Sequence, residues 1–221
     1  ATGSTFDSSN NKVVIVYKDT GNSDYGTAVV ATVSGTSISY GTPVVYESAN
    51  CSVNSVGFDS SNNKVVVTFR DTGNSNYGTA IVGTVSGTSI SFGSPAVFSG
   101  GVAVQYLNTV FSTQLNKTFI TYQAGGTVVN GVLATVSGTS ISFGSEISLS
   151  GASSGSTSSG QRIYVGTAFN TTDNNFAIVS GPADGSSSGQ IFAHTSEFDP
   201  LTSENFIGFA HAAYADGQKA T

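Results

Sequence analysis

The sequence predicts an all-β fold built from repeats, and three observations carry that prediction. Two motifs recur with a spacing of about 52 residues. Each unit contains β-branched segments separated by Gly, Asn and Ser turns, which is typical of antiparallel sheets. No stretch before residue 200 has helical periodicity over ten residues. We therefore expect a β-propeller-like array of four-stranded antiparallel blades with a period of about 52 residues.

The repeats are close copies of one another. The segment FDSSNNK at residues 6–12 returns at 58–64, a shift of 52. The segment VSGTSIS at residues 33–39 returns at 85–91 and at 136–142, shifts of 52 and 51. Such similarity at a fixed spacing indicates one structural unit that is repeated along the chain.

Within the second unit we predict four strands, at 54–59, 64–71, 77–85 and 89–98. The second of these is apolar at successive positions, so it has to be covered on both faces. Pro95 lies in the fourth, where only an edge or a bulge accepts a proline. A β-solenoid and separate β-sandwiches are the alternatives, but solenoid coils are usually shorter and sandwiches need about twice the residues per unit.

The unit boundaries divide the chain into five parts. They are blade repeat 1 (1–50), blade repeat 2 (51–99), blade repeat 3 (100–150), a degenerate blade repeat 4 (151–200), and a following module or closing strand (201–221). At this period 221 residues supply about 4.25 units, the bottom of the range for propellers. We therefore expect a partial chain, or an incomplete propeller whose exposed strand edges pair with other subunits. The expected partners are further copies in a homo-oligomer or fibre.

The composition excludes several classes of function. The chain has 13 acidic and 7 basic residues, a net charge of −6, and too few cations for a phosphate-binding patch. No apolar run approaches the roughly 20 residues that a membrane-spanning helix needs. Cys51 is the one cysteine, which excludes an internal disulfide and a cysteine-based zinc site. We predict neither a nucleic-acid partner nor membrane insertion.

One loop carries alternating oxygen side chains around a glycine. Asp19, Asn22 and Asp24 form a calcium candidate in the first copy, because Ca²⁺ takes six to eight oxygen ligands. The second copy has Asn76 in place of Asp24, which removes a carboxylate. We therefore favour a turn held by Asp side-chain hydrogen bonds, and we predict no cofactor.

The same loops are the candidate ligand-binding surface. A tyrosine ring beside Asn and Asp groups could bind a sugar by stacking and polar contacts, although each tyrosine could instead begin a strand. The candidate residues are Asp19, Asn22, Tyr25, Asp71, Asn74 and Tyr77. We predict no catalytic residues, because Arg70 and Arg162 are too few for a sialidase-type carboxylate clamp.

The repeated unit resembles a known class of repeats. Its pattern is FDxxxxKVVV, followed by the Gly-Asn-Ser-x-Tyr-Gly-Thr-Ala loop and strand, followed by VSGTSISFG. It is similar to repeats of virion structural and tail-fibre proteins of aquatic bacteriophages, and similar repeats occur in bacterial surface proteins. The resemblance covers residues 4–150 well and 160–199 loosely. It implies an extracellular or virion-surface location and brings no catalytic motif.

Three functions remain open at this stage. The first is a non-enzymatic structural or adhesive module of an extracellular fibre or virion appendage, assembling through homomeric contacts. The second is a lectin-like propeller that binds cell-surface glycans. The third is a fragment of a carbohydrate-active enzyme. We favour the first, because low charge with 36 Ser and 26 Thr gives a hydrated surface that repels its copies only weakly.

Overall fold

The fold is all-β and antiparallel, as predicted. The computed structural model describes residues 2–125, 128–149, 163–172, 175–182 and 192–196. These residues form strands joined by turns and bends, and none of them is helical. The described part of the chain therefore contains no helix that is long and apolar enough to cross a membrane. The strands are β1 (Thr2–Asp7), β2 (Lys12–Asp19), β3 (Tyr25–Ser34), β4 (Ser37–Tyr40), β5 (Val44–Asp59), β6 (Lys64–Asp71), β7 (Tyr77–Ser86), β8 (Ser89–Phe92), β9 (Ala96–Val97), β10 (Val104–Ser112), β11 (Lys117–Ala124), β12 (Val128–Ser137), β13 (Ser140–Phe143), β14 (Ile147–Ser148), β15 (Ile163–Asn170), β16 (Asn175–Pro182) and β17 (Phe192–Ser196).

Each of the first three repeats is a meander of three strands followed by a fourth strand in two pieces. In repeat 2, β8 and β9 both pair with β7, one beyond the other. Residues 93–95 interrupt this edge strand, and Pro95 lies in the interruption, where it needs no ladder hydrogen bond. In repeat 1, β4 and the beginning of β5 pair with β3 in the same way.

The prediction of separate four-stranded blades is wrong for the first two repeats. β5 is a single strand of 16 residues that crosses the boundary between them. Its partner changes from β3 to β6 between Asn50, which lies opposite Tyr25, and Cys51, which lies opposite Asp71. Because no turn interrupts β5, hydrogen bonding continues into a nine-stranded sheet, followed by sheets of five and three strands. Among the described residues no sheet is closed, and the three sheets do not form the ring of a propeller.

Neighbouring repeats nevertheless pack face to face, and the same contact recurs at successive interfaces. The centroid of the Tyr46 ring lies 5.3 Å from the ring centroid of Phe69 and 5.6 Å from that of Phe92. One repeat further along, Phe98 lies 5.1 Å from Tyr122 and 5.8 Å from Phe143. Tilted rings at these separations add to the stabilisation that burial alone gives. The core is therefore a series of layers, each between two repeats.

Strand β6 is covered on both faces, which confirms the prediction from its sequence. Val65, Val66 and Val67 are fully buried although successive side chains point to opposite faces. Val65 and Val67 pack in the layer between repeats 1 and 2, and Val66 packs in the layer between repeats 2 and 3. Repeat 2 is therefore an inner unit of a stack.

The FDSSNNK motif forms the turn between the first two strands of a repeat. The buried carboxylate of Asp7 accepts hydrogen bonds from the backbone N–H groups of Ser9 (2.9 Å) and Asn10 (3.0 Å). Asn11 has a φ of +51°, a conformation that asparagine tolerates. Burial alone would raise the pKa of Asp7, but the hydrogen bonds from Ser9 and Asn10 together outweigh it and lower the pKa.

Candidate functional site

The predicted loop residues lie between the second and third strands of repeats 1 and 2. In the first loop the N–H of Gly21 donates to Asp19 Oδ1 at 3.0 Å, and that of Asn22 donates to the Asp19 carbonyl oxygen at 3.1 Å. The N–H of Tyr25 then donates to the Asn22 carbonyl oxygen at 3.0 Å, and β3 begins. The carboxylate of Asp19 thus orders its own loop.

The second loop repeats this geometry. The N–H of Asn74 donates to both the carbonyl oxygen (3.2 Å) and Oδ1 (3.1 Å) of Asp71, and the N–H of Tyr77 donates to the carbonyl oxygen of Asn74 (3.0 Å). Ser75 and Asn76 both have positive φ. Asn74 is exposed and Tyr77 is half-buried at the beginning of β7, as Asn22 and Tyr25 are in the first loop.

The carboxylates of the calcium candidate have protein partners. Asp24 Oδ2 lies 2.9 Å from Lys18 Nζ and accepts a hydrogen bond of 3.2 Å from Asn50 Nδ2. Asp19 Oδ1 accepts the N–H of Gly21, as described above. Within the described ranges no three His, Cys, Asp or Glu side chains form a group that could hold a metal ion.

Both loops flank the boundary between repeats 1 and 2. The N–H of Cys51 donates to the Asp24 carbonyl oxygen (3.0 Å), and that of Thr72 donates to the Asn50 carbonyl oxygen (3.2 Å). The two loops therefore lie on one edge of the stack, joined by the backbone at residues 50–51. This polar edge, formed by loops 19–25 and 71–77 with residues 50–51 between them, is the surface that the sequence indicated for a ligand.

Beneath the polar edge lies a buried thiol. The Cys51 S–H donates to Asn54 Oδ1 at 3.0 Å, and Sγ lies 3.7 Å from the Tyr46 hydroxyl. Burial is the main cause that raises the pKa of Cys51 to about 12 and that raises the pKa of Tyr46 above its ordinary value. Both groups are neutral at physiological pH and belong to the core rather than to a reactive site.

A second candidate site, which the sequence analysis did not identify, is formed by the VSGTSISFG motif. Residues 34–36, 86–88 and 137–139 are the hairpin tips of repeats 1, 2 and 3, and Gly41, Gly93 and Gly144 are the receiving glycines that end the three motif copies. A Cβ atom on Gly41 would overlap the carbonyl oxygen of Thr88, and one on Gly93 would overlap that of Thr139. The tips of repeats 2 and 3 thus lie against the receiving glycines of repeats 1 and 2, and glycine is required there because the backbones approach so closely.

The outer surface of repeat 1 carries several large apolar side chains that are exposed. Phe6, Val33, Ile38 and Tyr40, the open face, are 54%, 53%, 55% and 62% exposed. The counterparts of Val33 and Ile38 in repeat 2 are only 7% and 4% exposed, because repeat 1 covers them. The residue types alone could not reveal this difference, since the motif copies are nearly identical.

Comparisons with known proteins do not identify the chain. No protein-family model, curated protein or solved structure matches it. Its function therefore has to be argued from the polar edge, the hairpin tips with their receiving glycines, and the open face.

Proposed function

We propose that this chain is a non-enzymatic structural module that self-assembles, as a repeat unit of an extracellular fibre or virion appendage. The open face of repeat 1 carries this proposal. Four large apolar side chains on one repeat are more than half exposed, and an exposed apolar cluster of this kind is typical of an interaction surface. The open stack of repeats is propeller-like in its layering and is suited to extension by a further layer.

The internal interfaces support homomeric contact in particular. The surface that covers Val85 and Ile90 within the chain comes from another repeat of the same sequence family. The surface that covers the open face of repeat 1 would then have the same chemistry. The low charge of the chain, 9% of its residues, keeps the repulsion between copies small despite the net charge of −6.

Sedimentation velocity over a wide range of protein concentration tests this proposal, together with negative-stain images at the highest concentration. We expect concentration-dependent association and ordered polymers or spikes. The variant Ile38→Asp places a charge on the open face and should lose at least tenfold in association, whereas Val97→Asp, at an exposed site on repeat 2, should not. A chain that stays monomeric at all concentrations would contradict the proposal.

A second candidate function is glycan binding at the polar edge. The observation that favours it is the continuity of the two loops through Asn50, which brings Tyr25 and Tyr77 to one edge of the stack with exposed Asn22 and Asn74 nearby in sequence. Half-exposed aromatic rings beside amide groups can stack on and hydrogen-bond to a sugar. A glycan array with binding lost in the Tyr25→Ala and Tyr77→Ala double variant would support this function, and an array without hits would reject it.

A further inference from the structure

We propose that a second copy of this chain places its first hairpin tip (residues 34–36) over Gly144, so that copies join head to tail. This interface rests on the self-assembly proposed above and specifies how it occurs. The contact is the one that the chain already makes twice internally, between the tip at Thr88 and Gly41 and between the tip at Thr139 and Gly93.

The chain leaves one half of this contact open at each end of the series. The tip of repeat 1 is exposed throughout residues 34–36, and no receiving glycine within the described residues lies against it. Gly144 is the third receiving glycine, but the sequence of repeat 4 lacks the VSGTSIS hairpin that would supply its tip. The tip of repeat 1 and the surface around Gly144 are therefore the two halves of the same kind of contact, and each lacks its partner among the described residues.

Gly144 has the space that such a tip requires. The atom nearest to a Cβ placed on it is the carbonyl oxygen of Leu133, at 3.6 Å, whereas Gly41 and Gly93 have no room for a Cβ. Gly144 is exposed, while the other two receiving glycines are half-buried. Within the described part of the chain, no residue occupies the tip position above Gly144.

The apolar surroundings of Gly144 are also left incompletely covered. Leu133 is partly exposed, although its counterparts Val30 and Val82 are 1% and 0% exposed. Val82 is covered by Val136 and Ile141 of the hairpin in repeat 3. Repeat 4 packs on repeat 3 through Phe176 and Ile178, and Leu133 contacts this cluster while remaining partly exposed.

The incoming hairpin has the side chains that this place lacks. Val33 and Ile38 of repeat 1 correspond to Val136 and Ile141 of repeat 3. Val33 and Ile38 are each more than half exposed. Neither hairpin 33–40 nor segment 133–145 contains a charged residue, so no charge has to be desolvated when they meet. Because the two surfaces differ, the contact is heterologous, and copies add head to tail into a filament unless the rotation per copy closes a ring.

The first test is the substitution Gly144→Val, measured by thermal unfolding and by sedimentation velocity. Gly144 lacks a positive φ and has free space, so the variant should fold with an unchanged melting temperature. Its side chain would occupy the tip position, and association should fall at least tenfold. The matched control is Gly166→Val, because Gly166 lies in repeat 4 with no atom within 4 Å of an added Cβ. Unchanged association of Gly144→Val would overturn the interface.

The second test is cross-linking, with a short thiol-to-thiol reagent, between two variants that each carry one introduced cysteine. Native Cys51 is buried and serves as an internal unreactive thiol. Thr36→Cys mixed with Ser145→Cys should give a covalent dimer, and neither variant alone should. Thr88→Cys in place of Thr36→Cys is the control, because that tip already lies on Gly41 within its own chain.

The outcomes separate this interface from the broader proposal. A dimer formed only in the mixture supports the head-to-tail contact. A dimer of Thr36→Cys alone would indicate a symmetric pairing of two open faces and would overturn it. Polymers without the mixed cross-link would also overturn it while leaving self-assembly intact. A monomer at every concentration would remove both.

Discussion

The hydroxyl groups of Thr68 and Thr109 share a hydrogen bond of 2.6 Å across the layer between repeats 2 and 3. Thr121 and Thr167 make the same contact at 2.7 Å between repeats 3 and 4. Between repeats 1 and 2 the corresponding positions hold Val16 and Val56, which pack in one apolar cluster. The same position of the stack thus holds a pair of threonines at two interfaces and a pair of valines at the third. Because one chain contains both pairs, the contribution of the hydrogen bond to stability can be measured by exchanging them.

We expect Thr68→Val alone to destabilise the fold by about 1–2 kcal/mol, because it leaves the hydroxyl of Thr109 buried without this partner. The double variant Thr68→Val with Thr109→Val should recover most of that loss, since it recreates the pair of valines found at the preceding interface. Urea denaturation of both single variants and the double variant gives the coupling energy. Strictly additive effects would show that the two hydroxyls do not act as a pair.

The receiving glycines give a second prediction. Gly41→Ala and Gly93→Ala should each destabilise the fold by roughly 2–3 kcal/mol, because the added methyl group meets the backbone of the next hairpin tip. Gly144→Ala is the control of identical chemistry and should change the free energy of unfolding by less than about 0.5 kcal/mol. Chemical denaturation of the three variants measures this difference. Equal effects at all three glycines would contradict the packing of the tips.

Asp7 predicts a dependence of stability on pH. Its pKa is lowered in the folded protein, so the charged form contributes stability above the unfolded pKa, which is about 3.8, and this contribution is lost as the pH falls through the folded pKa. At pH 7 we expect Asp7→Ala to lower the free energy of unfolding by about 1–3 kcal/mol.

The pH profile of Asp7→Asn completes that test, because asparagine cannot titrate. Urea denaturation between pH 2 and 7 should show a smaller loss of stability at acid pH in the variant than in the native chain. Asp24→Asn is the control, since it alters an ion pair with Lys18 that is partly exposed and should contribute at most about 1 kcal/mol. A profile for Asp7→Asn that parallels the native one would exclude this carboxylate as the source.

Local structure could be predicted from the sequence, because it depends on local patterns. The second strand of repeat 2 was expected at 64–71, where β6 is found, and the edge position of the strand that contains Pro95 was expected from the missing N–H of proline. That strand was expected to run unbroken from 89 to 98, but it is interrupted at residues 93–95. The turn geometry of the loops at Asp19 and Asp71 also follows from the residue types in them. These features are determined within about ten residues of chain.

The continuity of β5 and the position of the open surfaces could not be predicted in that way. Whether a strand stops at a repeat boundary depends on what pairs with it on both sides, which involves residues of two repeats. The same holds for Val33 and Val85, whose sequence surroundings are nearly identical but whose exposures are 53% and 7%. Burial here is a property of the neighbouring layer, and the sequence of one repeat does not contain it.

The thiol of Cys51 gives a last prediction, on reactivity and stability together. Burial raises its pKa to about 12 from the ordinary 9.0, so the native protein holds the thiol neutral at pH 8. A disulfide reagent should therefore react with the native chain at least 100-fold more slowly than with the chain in urea, since only the thiolate attacks. Because the unfolded thiol ionises first, stability should decline as the pH rises from about 9 towards 12, and Cys51→Ala should lack that part of the decline. Rapid modification of the native protein at pH 8 would mean that residues 50–51 open readily, and the layer between repeats 1 and 2 would then not be the stable core of the stack.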